Sequence, residues 1–244
     1  MFYSQQSAPY NLWIVQTDRL ARDIQMNLNE FLKPGEFVDS DHPAVIEYAH
    51  GIAGKAKTVK QRVLNFYYSI RDDIRYDPYL PVADPASYRA SDSVLTRRGW
   101  CVPKAALMAA CCRVYNIPAR PGYADVKNHL ATQRLLDLLG TDLFAWHSYC
   151  DILIDGNWVK ATPAFNLSLC EKFGLKPLEF DGETDSLFHE FDEAGNKHME
   201  YLEDRGAFID VPFDQILSTF KQIYNPRYIA GAGGDFHAEA EQNN

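Results

Sequence analysis

The sequence lacks a long hydrophobic run. None of its 244 residues lies in an uninterrupted apolar stretch of about 18 residues, the minimum for a helix that crosses a bilayer. The N-terminal segment also contains no basic stretch followed by an apolar one, which a secretory signal would need. We therefore expect a cytoplasmic protein with no membrane partner.

Cysteine is scarce and shows no pairing pattern. The chain has five cysteines, an odd number, and no two of them have Cys-x-x-Cys spacing. This argues against a disulfide framework and against a zinc site of the usual spacing. The sequence also contains no calcium-loop pattern. We expect reduced thiols, with neither a metal nor a cofactor.

Basic residues are also few, 24 against 33 acidic ones, and the formal net charge is −9. Nucleic acids and anionic membrane surfaces favour clustered lysine and arginine, so neither is expected as a partner. Acidic side chains concentrate between Glu179 and Asp204, where ten stand against one lysine. We interpret this segment as a solvated acidic hairpin, because its possible metal ligands have no recognised spacing; they are His189, Glu190, Asp192, His198 and Glu200.

The spacing of apolar residues predicts three helices in the middle of the chain. The first begins at Pro43, and the second follows Thr58, which starts a capping-box pattern. The third covers about 102–114 and is ended by Asn116, a residue that tolerates the left-handed conformation. A further helix is expected around 213–224.

A β-hairpin is predicted from 145–154 and 157–162, joined by the turn Asp155-Gly156. The chain then divides into four predicted parts: an N-terminal arm (1–41) with a strand at 11–15, a core of helices and strands (42–165), an acidic and aromatic extension (166–230) and a disordered tail (231–244).

One cysteine stands where a thiol can react. Cys101, in the stretch RRGWCVPKA, comes at the start of the third predicted helix. Free N–H groups and the helix dipole lower the pKa of a thiol there and can also hold an oxyanion. Taken alone this is weak evidence, because a buried cysteine is usually a small apolar side chain. Cys111 and Cys112 inside the helix, and Cys150 on the hairpin, are interpreted in that way.

A catalytic thiol needs a base, normally histidine. The chain has seven histidines, and His147 lies in the middle of the first strand of the predicted hairpin. A single strand histidine is more often packed or solvated than catalytic. The order along the chain of the sequence motifs around Cys101 and His147 gives the catalytic interpretation of His147 more weight.

Together these blocks resemble the transglutaminase-like superfamily, whose core is a circularly related version of the papain-like cysteine protease fold. The family pattern Arg-x-Gly-x-Cys, with a helix that ends Gly-Ile-Pro-Ala-Arg, matches RRGWC at 97–101 and, with Asn116 in place of the glycine, NIPAR at 116–120. The resemblance covers about 42–165 and suggests a small member of bacterial type. It implies an α+β fold in which the cysteine helix packs on an antiparallel sheet that carries the histidine.

Two strands depart from the family pattern. On the histidine strand the family has His-Ala-Trp-x-Glu, whereas this chain has Tyr149 for the tryptophan and Asp151 for the acid. On the return strand Thr162 stands where the family has its catalytic aspartate. In the predicted register Thr162 pairs with Tyr149 and lies diagonally from His147, so its hydroxyl could orient the imidazole without supplying charge.

Two further residues come into question for the third catalytic position. Asn166 is a second neutral candidate to orient His147. Asp151 is interpreted instead as structural, because Lys160 is its cross-strand partner in the predicted register.

The resemblance implies thiol acyl chemistry on a peptide, protein or small amide. Cys101 would attack the carbonyl, His147 would move protons, and the acyl group would pass to water or to an amine. Hydrolysis is favoured because water needs no acceptor site. The acidic segment could flank the cleft and favour cationic substrates. Two alternatives stay open, a scaffold that has lost catalysis and serves as a binding module, and acyl transfer from a thioester as in arylamine acetyltransferases.

Overall fold

The structure, a computed structural model, describes residues 28–128, 131–187, 199–231 and 233–240. The strand expected at 11–15 lies outside these residues. Helix α1 (Pro43–Ala53) and helix α2 (Val59–Asp73) come first. Both begin as the sequence predicts. His42 Nδ1 accepts a hydrogen bond from the Ala44 N–H at 3.2 Å, and Thr58 with Gln61 forms a complete capping box.

A short parallel pair of strands leads into the central helix. Strand β1 (Arg75–Tyr76) pairs with β2 (Arg98–Gly99), and helix α3 (Ala90–Thr96) lies between them. Helix α4 (Cys101–Val114) follows β2 directly. All its residues except the last are buried, so it is the central helix of the core. Asn116 then adopts a φ of 55°, the left-handed exit that the sequence predicts.

A four-stranded antiparallel sheet packs against α4. Its strands are β3 (Ala119–Asn128), β4 (Leu143–Ile154), β5 (Asn157–Ala161) and β6 (Met199–Ala207), in the order β5-β4-β3-β6. Helix α4 lies against β3 and β4, and helix α5 (Gln133–Leu139) connects these two strands. The α+β fold class is confirmed, with the cysteine helix packed on the sheet that carries the histidine.

The hairpin has the predicted register, but it is shorter at its open end. Cys150 pairs with Ala161, and this is the last pair of the β4–β5 ladder. The predicted pair of Tyr149 with Thr162 is therefore not formed. The Thr162 N–H donates instead to the Ser186 carbonyl at 2.9 Å, because the chain after β5 turns to a parallel bridge between Ala161 and Ser186.

The C-terminal part of the chain covers one end of this core. It contributes helices α6 (Leu167–Phe173), α7 (Phe213–Ile223), α8 (Pro226–Ile229) and α9 (Phe236–Ala240). Helix α7 agrees with the prediction of a helix around 213–224. No helix of the described residues has the length and apolar character needed to cross a membrane.

The tail after residue 231 differs from the disordered segment that the sequence suggests. In its described part, 233–240, the Phe236 side chain is buried and its ring packs on Tyr76 and Phe173. Glu239 pairs with Arg134 and accepts a hydrogen bond from Thr132 at 3.2 Å. The small and polar composition of this segment gives no sign of these contacts, because they are made with residues distant in sequence. A few such contacts suffice to order a short helix.

Candidate active site

Cys101 is the first residue of α4 and is almost completely buried, with 6% of its surface exposed. The backbone N–H groups of Ser148, Val102 and Cys101 itself act to lower the pKa of the thiol. Burial acts more strongly and raises this pKa to about 11. The position of Cys101 at the start of a helix predicts a lowered thiol pKa. Because the site is buried in the resting protein, the pKa is raised instead.

His147 lies on β4 and is also buried, with 9% of its surface exposed. Burial lowers the pKa of its imidazole to about 4, because the charged form would lose its hydration. Its Nε2 atom has no hydrogen-bond partner among the described residues. At neutral pH the resting site therefore holds a neutral imidazole and a neutral thiol.

This shift makes the stability of the protein dependent on pH. A histidine whose pKa is lowered by folding stabilises the protein above pH 6.5, and the contribution is lost as the pH falls through about 4. We expect the wild type to lose about 3 kcal/mol more unfolding free energy between pH 7 and pH 4 than the His147→Gln variant. Urea unfolding at several pH values measures this difference.

The matched control for that measurement is His50→Gln, since the His50 residue is exposed on α1. We expect this variant to follow the wild-type curve. Equal pH dependence of His147→Gln and the wild type would contradict a neutral, buried imidazole at position 147.

Cys101 and His147 line the same cavity. The cavity is small, about 30 Å³, which is room for one or two water molecules. Among the described residues that line the cavity, the ionisable groups are the Cys101 thiol, the His147 imidazole and the tyrosine hydroxyls. Besides Cys101 and His147, the lining residues are Tyr76, Pro78, Trp100, Leu135, Leu139, Phe144, Ala145, Phe220, Tyr224 and Tyr228.

Part of this wall comes from α5, α7 and α8. We call its five side chains the aromatic cover; they are Leu135, Leu139, Phe220, Tyr224 and Tyr228. The cover is held by three hydrogen bonds. The Tyr224 hydroxyl accepts from the Ala145 N–H at 2.9 Å, the Tyr228 hydroxyl donates to the Pro78 carbonyl at 3.1 Å, and the Asn225 N–H donates to the Leu139 carbonyl at 3.0 Å. Sequence reasoning missed this wall; its one visible signal was the apolar stripe of the helix around 213–224.

Thr162 lines a second, smaller cavity together with His147. Its Oγ1 atom, like His147 Nε2, is buried without a hydrogen-bond partner among the described residues. The volume is about 10 Å³, at the lower limit of what accommodates a single water molecule. The structure thus brings Thr162 and His147 to one small space, although the two side chains form no direct hydrogen bond.

Asn166 lies elsewhere and does not line either cavity. Its Oδ1 accepts a hydrogen bond from the Tyr76 N–H at 2.7 Å, and its Nδ2 donates to the Ile74 carbonyl at 2.8 Å. The expectation that Asn166 is an alternative orienter of His147 is therefore not met. Its amide caps the C-terminal end of α2, a task shared with the buried Lys104, whose Nζ donates to the carbonyls of Arg71 and Ile74.

Asp151 is structural, but its ion pair is not the one expected. Lys160 is its cross-strand neighbour on β5, as predicted. The carboxylate instead binds Arg120 on β3, whose Nε and Nη2 donate at 2.9 and 2.8 Å. Hairpin register alone could not reveal a third strand on the other side of β4. The arginine fork also suits a carboxylate better than a lysine does.

The other cysteines are core residues. Cys111, Cys112, Cys150 and Cys170 are fully buried, and burial raises the pKa of each thiol. No group of three or more metal-ligating side chains occurs among the described residues. Most of the possible metal ligands in the acidic segment lie outside the described residues; these are His189, Glu190, Asp192 and His198.

Comparison with known protein families identifies the core. Residues 46–163 match the family model of the transglutaminase-like superfamily. This segment is a transglutaminase-like core. The matched interval contains Cys101, His147 and Thr162, and the match supports a family of cysteine-dependent hydrolases or acyltransferases.

Two other comparisons add little. No curated protein matches the transglutaminase-like chain. Among solved structures it is similar to that of a proposed cysteine protease from Cytophaga hutchinsonii, at 25% identity and with a TM-score of 0.44. The match covers 56% of this chain and 42% of that protein, so the chain spans less than half of its length.

Proposed function

We propose that the protein hydrolyses an amide bond through a Cys101–His147 pair. The observation that carries the proposal is that the thiol at the N-terminus of α4 and the imidazole on β4 line one cavity. The match to the transglutaminase-like family model supports the same chemistry at a coarser level, as cysteine-dependent hydrolysis or acyl transfer.

The reaction starts from neutral groups. As the Cys101 sulfur attacks the substrate carbonyl, His147 accepts the thiol proton, so that charge appears only when the substrate is bound. The N–H groups at the first turn of α4 stabilise the oxyanion. His147 then donates its proton to the leaving amine, and a water molecule, deprotonated by the same imidazole, releases the acyl group and restores the thiol.

Water is the acceptor we favour over an amine. An amine acceptor is cationic at neutral pH and would be attracted by carboxylates near the site. The described acidic residues of the segment between Glu179 and Asp204 do not line the cavity of Cys101. The lining of the cavity therefore gives no support to the expectation that this acidic segment favours cationic substrates.

The substrate class follows from the cavity wall. The aromatic cover and the other lining residues present aromatic and aliphatic surface, which favours an uncharged, apolar acyl group. The cavity is too small for such a group when the cover is closed. The substrate must therefore displace part of the cover, whose side chains are buried in the hydrophobic core.

We expect acyl transfer to Cys101 from an apolar p-nitrophenyl ester to be at least about 100-fold faster than from a matched ester with a carboxylate or ammonium on the acyl group. The reason is that burying an unpaired charge costs several kcal/mol. Release of p-nitrophenol, together with the intact mass of the protein and peptide mapping, measures rate and site. Adding a primary amine to the reaction shows whether the acyl group passes to water.

A scaffold without catalysis is a second candidate, because neither His147 Nε2 nor Thr162 Oγ1 has a hydrogen-bond partner in the described part of the chain. The same assay separates the two. If no ester or thioester acylates Cys101, and iodoacetamide modifies Cys101 no faster than Cys112, the binding module is the better description. Acylation by thioesters alone would indicate a thioester-dependent acyltransferase.

We also propose a cytoplasmic location. All five cysteines are unpaired and buried, which is typical of proteins in a reducing compartment. Cell fractionation with an antibody to the protein tests this.

A further inference from the structure

The residue before His147 has an unusual backbone conformation. Trp146 adopts a φ of 59°, in the left-handed region that a bulky side chain rarely occupies. Such a residue costs of order 1–3 kcal/mol and persists only where its surroundings enforce it. The immediate surroundings of Trp146 therefore need an explanation.

The strain coincides with a bulge in β4. On β3, Ala124 pairs with His147 and Val126 pairs with Phe144. Two residues of β4, Ala145 and Trp146, thus stand opposite the single residue Asp125. An extra residue changes which face of the strand the following side chains occupy. The bulge therefore decides the side of the sheet to which His147 points.

An ion pair between a buried aspartate and a partly buried arginine holds this bulge. Asp125 Oδ1 accepts a hydrogen bond from the Trp146 N–H at 3.0 Å. Its two carboxylate oxygens also accept from Arg205 Nε and Nη2, at 2.5 and 2.6 Å. The Arg205 guanidinium lies 4.7 Å from the centre of the Trp146 ring, so the arginine contacts the bulge directly as well.

Arg205 itself sits at an irregularity of β6. Tyr123 pairs with Gly206 and Ala124 with Asp204, which leaves Arg205 without a partner on β3. The two strands that flank β3, namely β4 and β6, thus each have a bulge next to Asp125. This arrangement explains why a carboxylate with only 6% of its residue surface exposed is kept there.

We propose that Asp125, held by Arg205, is a positioning residue for His147. It acts through the backbone of Trp146, by keeping the left-handed conformation that directs the imidazole to the cavity of Cys101. The consequence for catalysis rests on the function proposed above. The consequence for the position of the imidazole does not, and it can be measured separately.

The same sheet offers a matched control. Asp151 on β4 also accepts two hydrogen bonds from an arginine, Arg120 on β3. The two pairs are buried alike, with 6% of the Asp151 side chain and 8% of the Asp125 side chain exposed. The Asp151 carboxylate makes no hydrogen bond to the backbone around His147 among the described contacts. Loss of either pair should destabilise the fold, but only loss of Asp125 should move His147.

The experiment compares Asp125→Ala and Asp151→Ala in the full chain. Histidine-labelled protein gives the ring nitrogen and proton shifts of His147 by NMR, assigned by their absence in His147→Gln. We expect Asp125→Ala to displace these signals and to slow acylation of Cys101 by about 100-fold, since a misplacement of about 1 Å can cost that much. We expect Asp151→Ala to leave the signals in place.

Conservative variants separate positioning from a loss of folding. Asp125→Asn keeps an oxygen acceptor for the Trp146 N–H, so it should retain most of the wild-type His147 signals. Arg205→Leu removes the partner that holds the Asp125 carboxylate, so it should displace the His147 signals and serves if the alanine variant does not fold. Unchanged His147 signals in a folded Asp125→Ala, or in Arg205→Leu where alanine does not fold, would overturn the proposal, as would an equal displacement in Asp151→Ala. If the wild type shows no acylation but Asp125→Ala still moves His147, the positioning role stands and the proposed function falls.

Discussion

Cys101→Ala is expected to abolish acyl-enzyme formation and to lower the rate of ester or amide hydrolysis by about 10⁴-fold or more. The thiol is the protein group that bonds to the acyl carbon in the proposed reaction, and without it the remaining binding and oxyanion contacts give only a small residual rate. Hydrolysis under saturating ester, with the intact mass of the protein followed in parallel, measures both effects.

Cys111→Ala and Cys112→Ala are the matched controls. Both thiols lie on the same helix, α4, and are fully buried, but neither lines the cavity with His147. We expect these variants to be acylated at Cys101 as the wild type is. His147→Gln should lose about as much activity as Cys101→Ala, because the two residues act together, so that loss of either one removes most of the catalysis that the pair provides. Undiminished turnover by Cys101→Ala would remove the proposed function.

Thr162→Asp is expected to give the second large effect, an increase in activity. The resemblance to the family implies an aspartate at this position, and here Thr162 lines a small cavity together with His147. A carboxylate within about 4–6 Å stabilises an imidazolium and raises its pKa by about 1–3 units. For His147 this shift starts from about 4, so the imidazole would come closer to the working pH of a general base.

The measurements are the pKa of His147 by NMR titration and the pH dependence of Cys101 acylation. We expect acylation at neutral pH to rise by at least about tenfold, since negative charge beside the imidazole favours the charge that develops on it. Thr162→Asn is the matched control, because it has almost the shape of aspartate without its charge. A His147 pKa that stays near 4 in Thr162→Asp would show that position 162 does not act on the imidazole.

Local sequence signals determined much of the helical part of the fold. A capping box at Thr58 and a left-handed exit at Asn116 depend on neighbours within a few residues, so the sequence defined those helix ends correctly. The hairpin register was predictable for the same reason, because a two-residue turn at Asp155-Gly156 fixes which residues face each other.

The candidate site was only partly accessible from the sequence. The family pattern pointed to Cys101 and His147, and the structure brings them to one cavity. The sequence could not show that Asn166 caps α2, because the carbonyls it binds belong to residues more than ninety positions earlier in the chain. It also could not show that Arg120, not Lys160, pairs with Asp151, since that requires knowing the strand on the far side of β4.

What the sequence by itself determined is the pair of reactive residue types, their order, and the helix and hairpin that carry them. What only the tertiary structure decided is their environment. The pKa values of Cys101 and His147 move away from the activated pair that a helix start suggests, because segments distant in sequence remove both side chains from water. The conformation of Trp146 likewise depends on Asp125 and Arg205 from two other strands. Helix caps and turns are short-range effects, whereas desolvation and buried ion pairs depend on every segment that packs around the site.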